Sequence, residues 1–298
     1  MAQLIKLEDY ISRYEKDIYH YPAKFIRLKK DKWKKVEQEW EVQSENSNNK
    51  TDKEKEIDDQ VKKWKFFLKR KEVVSKLTSE GERNLPLTKK ELKIQYLNNL
   101  LPFQLNWAST TVNEMSFLDR HYFDDLKLKY LLQRFPDTYL LLYYPVFQLK
   151  NQPMDGEIIL VSPIEIEIIK FVEIESTITI ITSDDRTWSV KKNNSHKTLL
   201  SPLVSLNRTE QVIQSILKKY KIEFPIRKVV LSRTNEIEYN LEPYHTRIIG
   251  RKEHEQWLND KRKLIAPIKH QQLKVCDLLL KHCFTNAFQR PEWDEEGD

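Results

Sequence analysis

Residues 154 to 173 read MDGEIILVSPIEIEIIKFVE. Two aliphatic, β-branched runs are parted by Ser162 and Pro163. Proline cannot donate to a sheet ladder, so the stretch predicts a strand, a tight turn and a second strand. Side chains alternate faces along a strand. Lys170 therefore shares a face with Ile166, Ile168 and Val172, while Glu165, Glu167 and Glu173 point the other way. Glu157 shares a face with Asp155, and Asp155-Gly156 also reads as a plain turn pair.

Outward from the hairpin the same texture continues. TYLLLYYPVFQL precedes it, and TITIIT, TWSVKK, IRKVVLS and HTRIIG follow, all reading as strands. A helix is predicted over about 115–134, ending near Pro136. NRTEQVIQSILKKY predicts another, with Asn207 as N-cap and Glu210 at N3. Further helices are predicted at about 251–260 and 268–284. LTKKELKIQYLNNLLPF opens on Thr88 and Glu91 in a capping-box relation and should stop at Pro102. Helices alternating with strands predict an α/β core with a mixed sheet flanked by helices. The expected division is a helical N-terminal region over 1–112, a core over 113–250, and C-terminal helices with an acidic tail over 251–298.

The N-terminal region carries much of the positive charge. The chain has a net charge of +6, and residues 1–80 hold 20 Lys and Arg against 16 Asp and Glu, a local excess of 4. FIRLKKDKWKK and KKWKFFLKRK interleave aromatics with Lys29, Lys30, Lys34 and Lys35, and with Lys63, Lys65, Lys69 and Arg70. Cations among aromatics suit phosphate contact with base stacking. The plainer reading is a long helical hairpin over about 28–78. Trp33, Val36 and Trp40, and Ile57, Val61, Trp64 and Leu68, recur at helical spacing and form stripes that need a partner.

Several chemistries are excluded. With Gly81, Gly156, Gly250 and Gly297 as the only glycines, neither a dinucleotide fingerprint nor a phosphate loop can be built. No Gly-x-Ser-x-Gly elbow is present, and no Cys or His pair has zinc spacing. Cys276 and Cys283 lie seven apart in one predicted helix, about 10 Å along its axis and too far to bridge. No run reaches the roughly 20 apolar residues of a membrane span. The acidic, apolar-poor opening argues against export. A reducing, cytoplasmic compartment is expected.

The order helix, YLLLYYPV, MDGEIILVSP, IEIEIIKFVE, then SPLVSLNRTEQVIQSIL resembles the nuclease-related domain (NERD) family over about 115–235. The resemblance implies a restriction-endonuclease-like fold and a site needing Mg2+ or Mn2+. Asp155 matches the family's aspartate at the strand head and Pro163 its turn. Asp124 falls where the preceding helix carries a glutamate, with Asp125 adjacent. The family's carboxylate-x-lysine pair falls on Lys170 and Val172. Two readings follow, with DNA or RNA as a possible partner in both. One is a Mg-dependent phosphodiesterase with a rearranged site of Asp155, Glu157 and Lys170, with Asp155 and Asp124 as metal ligands. The other is a non-catalytic nuclease-fold protein that binds nucleic acid through its basic region, or a protein partner instead. The second predicts that Lys170 pairs with Asp155 or Asp124 in place of a metal.

Overall fold

The computed structural model describes residues 1–48, 86, 88–150, 152–183, 186–192 and 195–290. The chain forms two compact units, one of residues 1–27 and 97–298 and one of residues 28–96. It opens with β1 (Gln3–Leu7), α1 (Arg13–Lys16), α2 (Tyr21–Asn48) and α3 (Lys89–Trp107). After β2 (Glu114–Met115) and a 3-10 turn at Arg120–Phe123 come α4 (Leu126–Arg134), β3 (Leu140–Tyr143), β4 (Val146–Gln148) and β5 (Pro153–Asp155). The central strands are β6 (Ile158–Val161), β7 (Ile166–Phe171), β8 (Thr179–Ile181), β9 (Thr187–Lys192) and β10 (Ser195–Leu200). The chain closes with α5 (Leu203–Lys219), β11 (Ile226–Leu231), β12 (Ile237–Glu238), β13 (Thr246–Ile249), α6 (Arg251–Lys263), α7 (His270–Lys281) and β14 (Phe288–Gln289).

A six-stranded mixed sheet in the order β1-β3-β6-β7-β11-β13 forms the core of the first unit. β6 alone runs against its neighbours; β1, β3, β7, β11 and β13 are parallel to one another. Every residue of β3 and β6 is buried, as a sheet covered on both faces requires. On one face α5 and α7 pack, marked by the Glu157 N–H donating to Thr209 Oγ1 and by Gln272 Nε2 donating to the Thr138 and Val161 carbonyls. On the other, Tyr130 of α4 meets Phe171 edge to face, and the Tyr139 hydroxyl donates to the Lys261 carbonyl of α6. β8, β9, β10 and β12 form a separate four-stranded sheet. The α/β mixed-sheet expectation and the turn at Pro163 hold.

Four local expectations are corrected. Residues 3–7, placed in a helical region, form an edge strand of the main sheet, because QLIKL is buried at every position. α3 does not stop at Pro102 but continues to Trp107, because Leu101, Leu105 and Trp107 bury its last turns. α5 starts at Leu203, after Pro202, so Asn207 and Glu210 lie inside it. There they hold the Lys228 ammonium, at 2.9 and 2.7 Å. The predicted 115–134 helix is shortened to α4, which Asp125 caps by accepting from the Lys127 and Leu128 N–H groups.

In the second unit, the Trp33 ring packs on Tyr96 at 5.2 Å, and Trp40 Nε1 donates to the Pro86 carbonyl. The stripe on α2 thus finds a partner on α3. The expected second hairpin arm, with Lys63, Lys65, Lys69 and Arg70, lies outside the described residues.

Sealing β1 falls to one side chain. Gln104 of α3 accepts the Leu4 N–H at 2.7 Å and donates to the Ala2 carbonyl at 3.0 Å. A buried sheet edge without such partners leaves backbone groups stranded. Gln104→Ala is expected to destabilise the fold by about 3 kcal/mol, since two buried backbone groups lose their partner. Urea denaturation with an unchanged slope reads this loss; an unchanged midpoint would show that the edge does not depend on Gln104.

Candidate functional site

Five parallel strands end on one side of the sheet, and β6 begins there. In open α/β sheets this is where ligands bind. The ends bear Glu8, Tyr144, Glu173 and Arg233, with Glu157 at the head of β6. Glu8 and Tyr144 lie in the left-handed region, with φ of 42° and 47°. Non-glycine residues seldom adopt this conformation, and here two do so at the ends of adjacent strands. Burial, with the nearby charges of Glu157, Asp125 and Glu8, pushes the Tyr144 phenol up to about 12.

Lys170 pairs with Glu157, at 2.6 Å between Nζ and Oε1. It pairs with neither Asp155 nor Asp124. The hairpin register is the reason. Val161 lies opposite Ile166 and Ile158 opposite Ile169, so one further step sets Glu157 opposite Lys170. The same count would set Asp155 opposite Val172, but the chain leaves the ladder at Gly156. A Cβ there would stand 2.9 Å from the Pro145 carbonyl oxygen and from the Phe147 ring. Glycine lets the chain turn through this gap. Asp155 is consequently exposed at the end of β5, opposite Val146 in a two-stranded ribbon.

Asp124 is also displaced. Its side chain is 92% exposed, and its Oδ1 lies 3.3 Å from Lys129 Nζ. Its neighbour Asp125 is fully used, capping α4 through Oδ1 and accepting the Tyr143 hydroxyl on Oδ2 at 2.6 Å. Among the described residues no three His, Cys, Asp or Glu side chains converge as a metal would require. Asp155, Asp124 and Glu157 do not form the donor set of the Mg2+ or Mn2+ ion that the family resemblance implies. Glu157 is buried, one oxygen is held by Lys170 and the other has no partner.

Two clusters on the opposite face escaped the sequence reading. Arg233 grips both oxygens of Glu173, at 2.5 and 2.8 Å, and stacks 4.8 Å above the Tyr130 ring, whose hydroxyl meets His254 Nε2 at 2.6 Å. Burial lowers the His254 pKa, so this imidazole favours the neutral form. Alongside, Lys261 of α6 donates to Glu165 Oε1 at 2.8 Å and lies 2.8 Å from Glu167 Oε1 without hydrogen-bond alignment. Burial opposes the charge on Glu165, but Lys261 and Arg227 outweigh it and hold its pKa low. Burial dominates at Glu167 and raises its pKa. The Glu-x-Glu spacing of IEIE was a legible signal that both acids share a face; the lysine from α6 was not.

No protein-family model and no solved structure matches the chain. A curated protein of Geobacillus stearothermophilus named RNA 2',3'-cyclic phosphodiesterase is 56% identical over 43 residues, 14% of this chain and 14% of that relative. The chain thus spans 14% of the length of the relative it matches. Among the described residues no helix is long and apolar enough to cross a membrane.

The Lys170–Glu157 pair is half-buried on its lysine side, with 35% of that side chain exposed against 8% for the glutamate. Lys170→Met should therefore destabilise the fold by about 2 kcal/mol, between the values for exposed and buried pairs. Adding Glu157→Met should recover most of that loss, as a double-mutant cycle in urea would measure; additive losses would deny the coupling. Glu167 has a folded pKa above its unfolded one, so its stabilising contribution is full below the unfolded pKa and lost as pH rises through the folded value. Glu167→Gln is thus expected to raise the melting temperature at neutral pH, with the advantage vanishing in acid.

Proposed function

We propose that this protein is a nuclease-fold, NERD-like protein that binds nucleic acid and carries a degenerate hydrolytic motif. The observation that carries this reading is the Lys170–Glu157 ion pair at 2.6 Å. A two-carboxylate hydrolytic site needs acids free to hold a cation. Here an ammonium occupies the second acidic position and neutralises the buried Glu157 carboxylate opposite it. The mixed sheet with its β6–β7 hairpin accords with a restriction-endonuclease-like frame. The relative's name carries RNA chemistry, but a match over 43 residues is too short to bring that activity here.

Nucleic acid is the partner that the basic helix favours. Lys30, Lys34 and Lys35 are exposed on α2 and Lys29 is half-buried beside them. Trp33 is engaged with Tyr96, so this surface offers phosphate contacts more than stacking. Such contacts release counterions and make affinity salt-dependent, with a log–log slope of about −0.9 per phosphate on duplex DNA.

Fluorescence anisotropy with duplex and single-stranded DNA and RNA, over a series of salt concentrations, tests the binding. Replacing Lys29, Lys30, Lys34 and Lys35 together with Gln should weaken affinity and flatten the slope. Incubation of the same substrates with Mg2+ or Mn2+ should leave them intact. Metal-dependent cleavage that disappears in Asp155→Ala would instead establish an active phosphodiesterase.

A further inference from the structure

α5, α7 and the segment between α1 and α2 meet in an exposed aromatic and basic surface. Tyr19 is 44% exposed and stacks on His270 at the start of α7, with centroids 5.5 Å apart and planes at 30°. Tyr220, just past α5, is 41% exposed and meets His282, just past α7, edge to face at 5.5 Å. From His270 to His282 the chain rises roughly 18 Å at helical pitch. Between them His270, Lys274, Asp277 and Lys281 follow the i, i+4, i+7, i+11 ridge of α7, with its two lysines exposed. Lys281 lies within electrostatic reach of both phenols.

The charge around these rings is mainly positive. Lys218, Lys219, Lys221, Lys274 and Lys281 are all exposed. Against them stand Asp277, whose carboxylate holds Lys281 at 2.6 Å, and Asp17, whose Oδ1 accepts the Tyr19 and His20 N–H groups. Glu223 lies beyond the turn, its carbonyl bonded by Gln271. Lys219 sits over the Tyr220 ring, 5.2 Å from its centroid, where a phosphate could draw it aside and open the face.

The backbone at this corner favours a residue that is not there. α5 ends in a Schellman turn, with the Ile222 N–H donating to the Leu217 carbonyl and the Lys221 N–H to that of Lys218. The residue at the left-handed position of such a turn is usually glycine. Lys221 occupies it with φ of 53°. A lysine there adds charge beside Tyr220 at some expense of local stability.

We infer that this surface is a stacking platform for single-stranded nucleic acid, with bases on Tyr19 and Tyr220 and phosphates on the bordering lysines. Exposed rings interleaved with lysines fit a flexible strand, because each base offers a π-face while a duplex hides its bases. The inference rests on the nucleic-acid reading above but assigns a second surface and a strand preference.

The test uses the full chain and fluorescein-labelled 12-mers of oligo(U) and oligo(dT), with a 12-base-pair duplex alongside. Tyr19→Ala with Tyr220→Ala should lower single-strand affinity about tenfold or more, from a stacking contribution of about 1–3 kcal/mol per base. Duplex affinity should be unchanged. Lys221→Gly should weaken single-strand binding while holding or raising the melting temperature, which separates lost contact from lost folding. An oligonucleotide bearing 5-iodouridine should crosslink to Tyr19 or Tyr220 in the unaltered protein. Unchanged single-strand affinity in the tyrosine variant, with binding lost on replacing the α2 lysines, would overturn this inference and leave the proposed function standing. Absence of any binding by the unaltered protein would overturn both.

Discussion

The register of the β6–β7 hairpin is the constraint on which the rest of the sheet and its candidate site depend. Ser162 sets it: its N–H donates to the Glu165 carbonyl, and its hydroxyl oxygen accepts the Ile164 and Glu165 N–H groups. With the turn closed, Val161 must face Ile166, and every later pair follows by counting. A slip of one residue would turn each side chain to the other face. Glu167 would then leave Lys261, and Lys170 would leave Glu157.

The hairpin also divides the charges between the two faces. Even-numbered positions of β7 meet α5 and the Glu157–Lys170 pair, and odd-numbered ones meet α4 and α6. The neighbouring strand β11 and the turn after it repeat this division, with Lys228 directed to α5 and Arg227 and Arg233 directed away. Buried charge is tolerated only where it is paired, and each of these cations has an acidic partner. Buried Lys6 obeys the same rule, with Glu15 Oε1, Thr285 Oγ1 and the Tyr10 carbonyl as acceptors. Glu167 is the exception in part: its lysine is near, but neither carboxylate oxygen receives an aligned donor.

Function, on this reading, follows from what pairing withdraws. Glu157 and Lys170 neutralise one another at the end of the sheet where an α/β protein would hold a ligand. Exposed lysines line α2, and others stand around the ends of α5 and α7.

Local pattern in the sequence was enough for the strand-turn-strand core, the face alternation of β7, the existence of α5 though not its start at Leu203, and the apolar stripe on α2. These depend on neighbours two to four residues apart, where periodicity and turn chemistry act. The Glu157–Lys170 pair was within reach too, since counting back from the turn places them opposite. What the sequence could not decide was which distant element meets which. The edge strand β1 became visible only with Gln104 sealing it, and α3 passed Pro102 because its last turns are buried. Asp155 and Asp124 read as site acids by motif, yet the close approach at Gly156 and the short α4 carry them to the surface. Tyr19 meets His270, and Tyr220 meets His282, only through helix packing, contacts that no local spacing encodes.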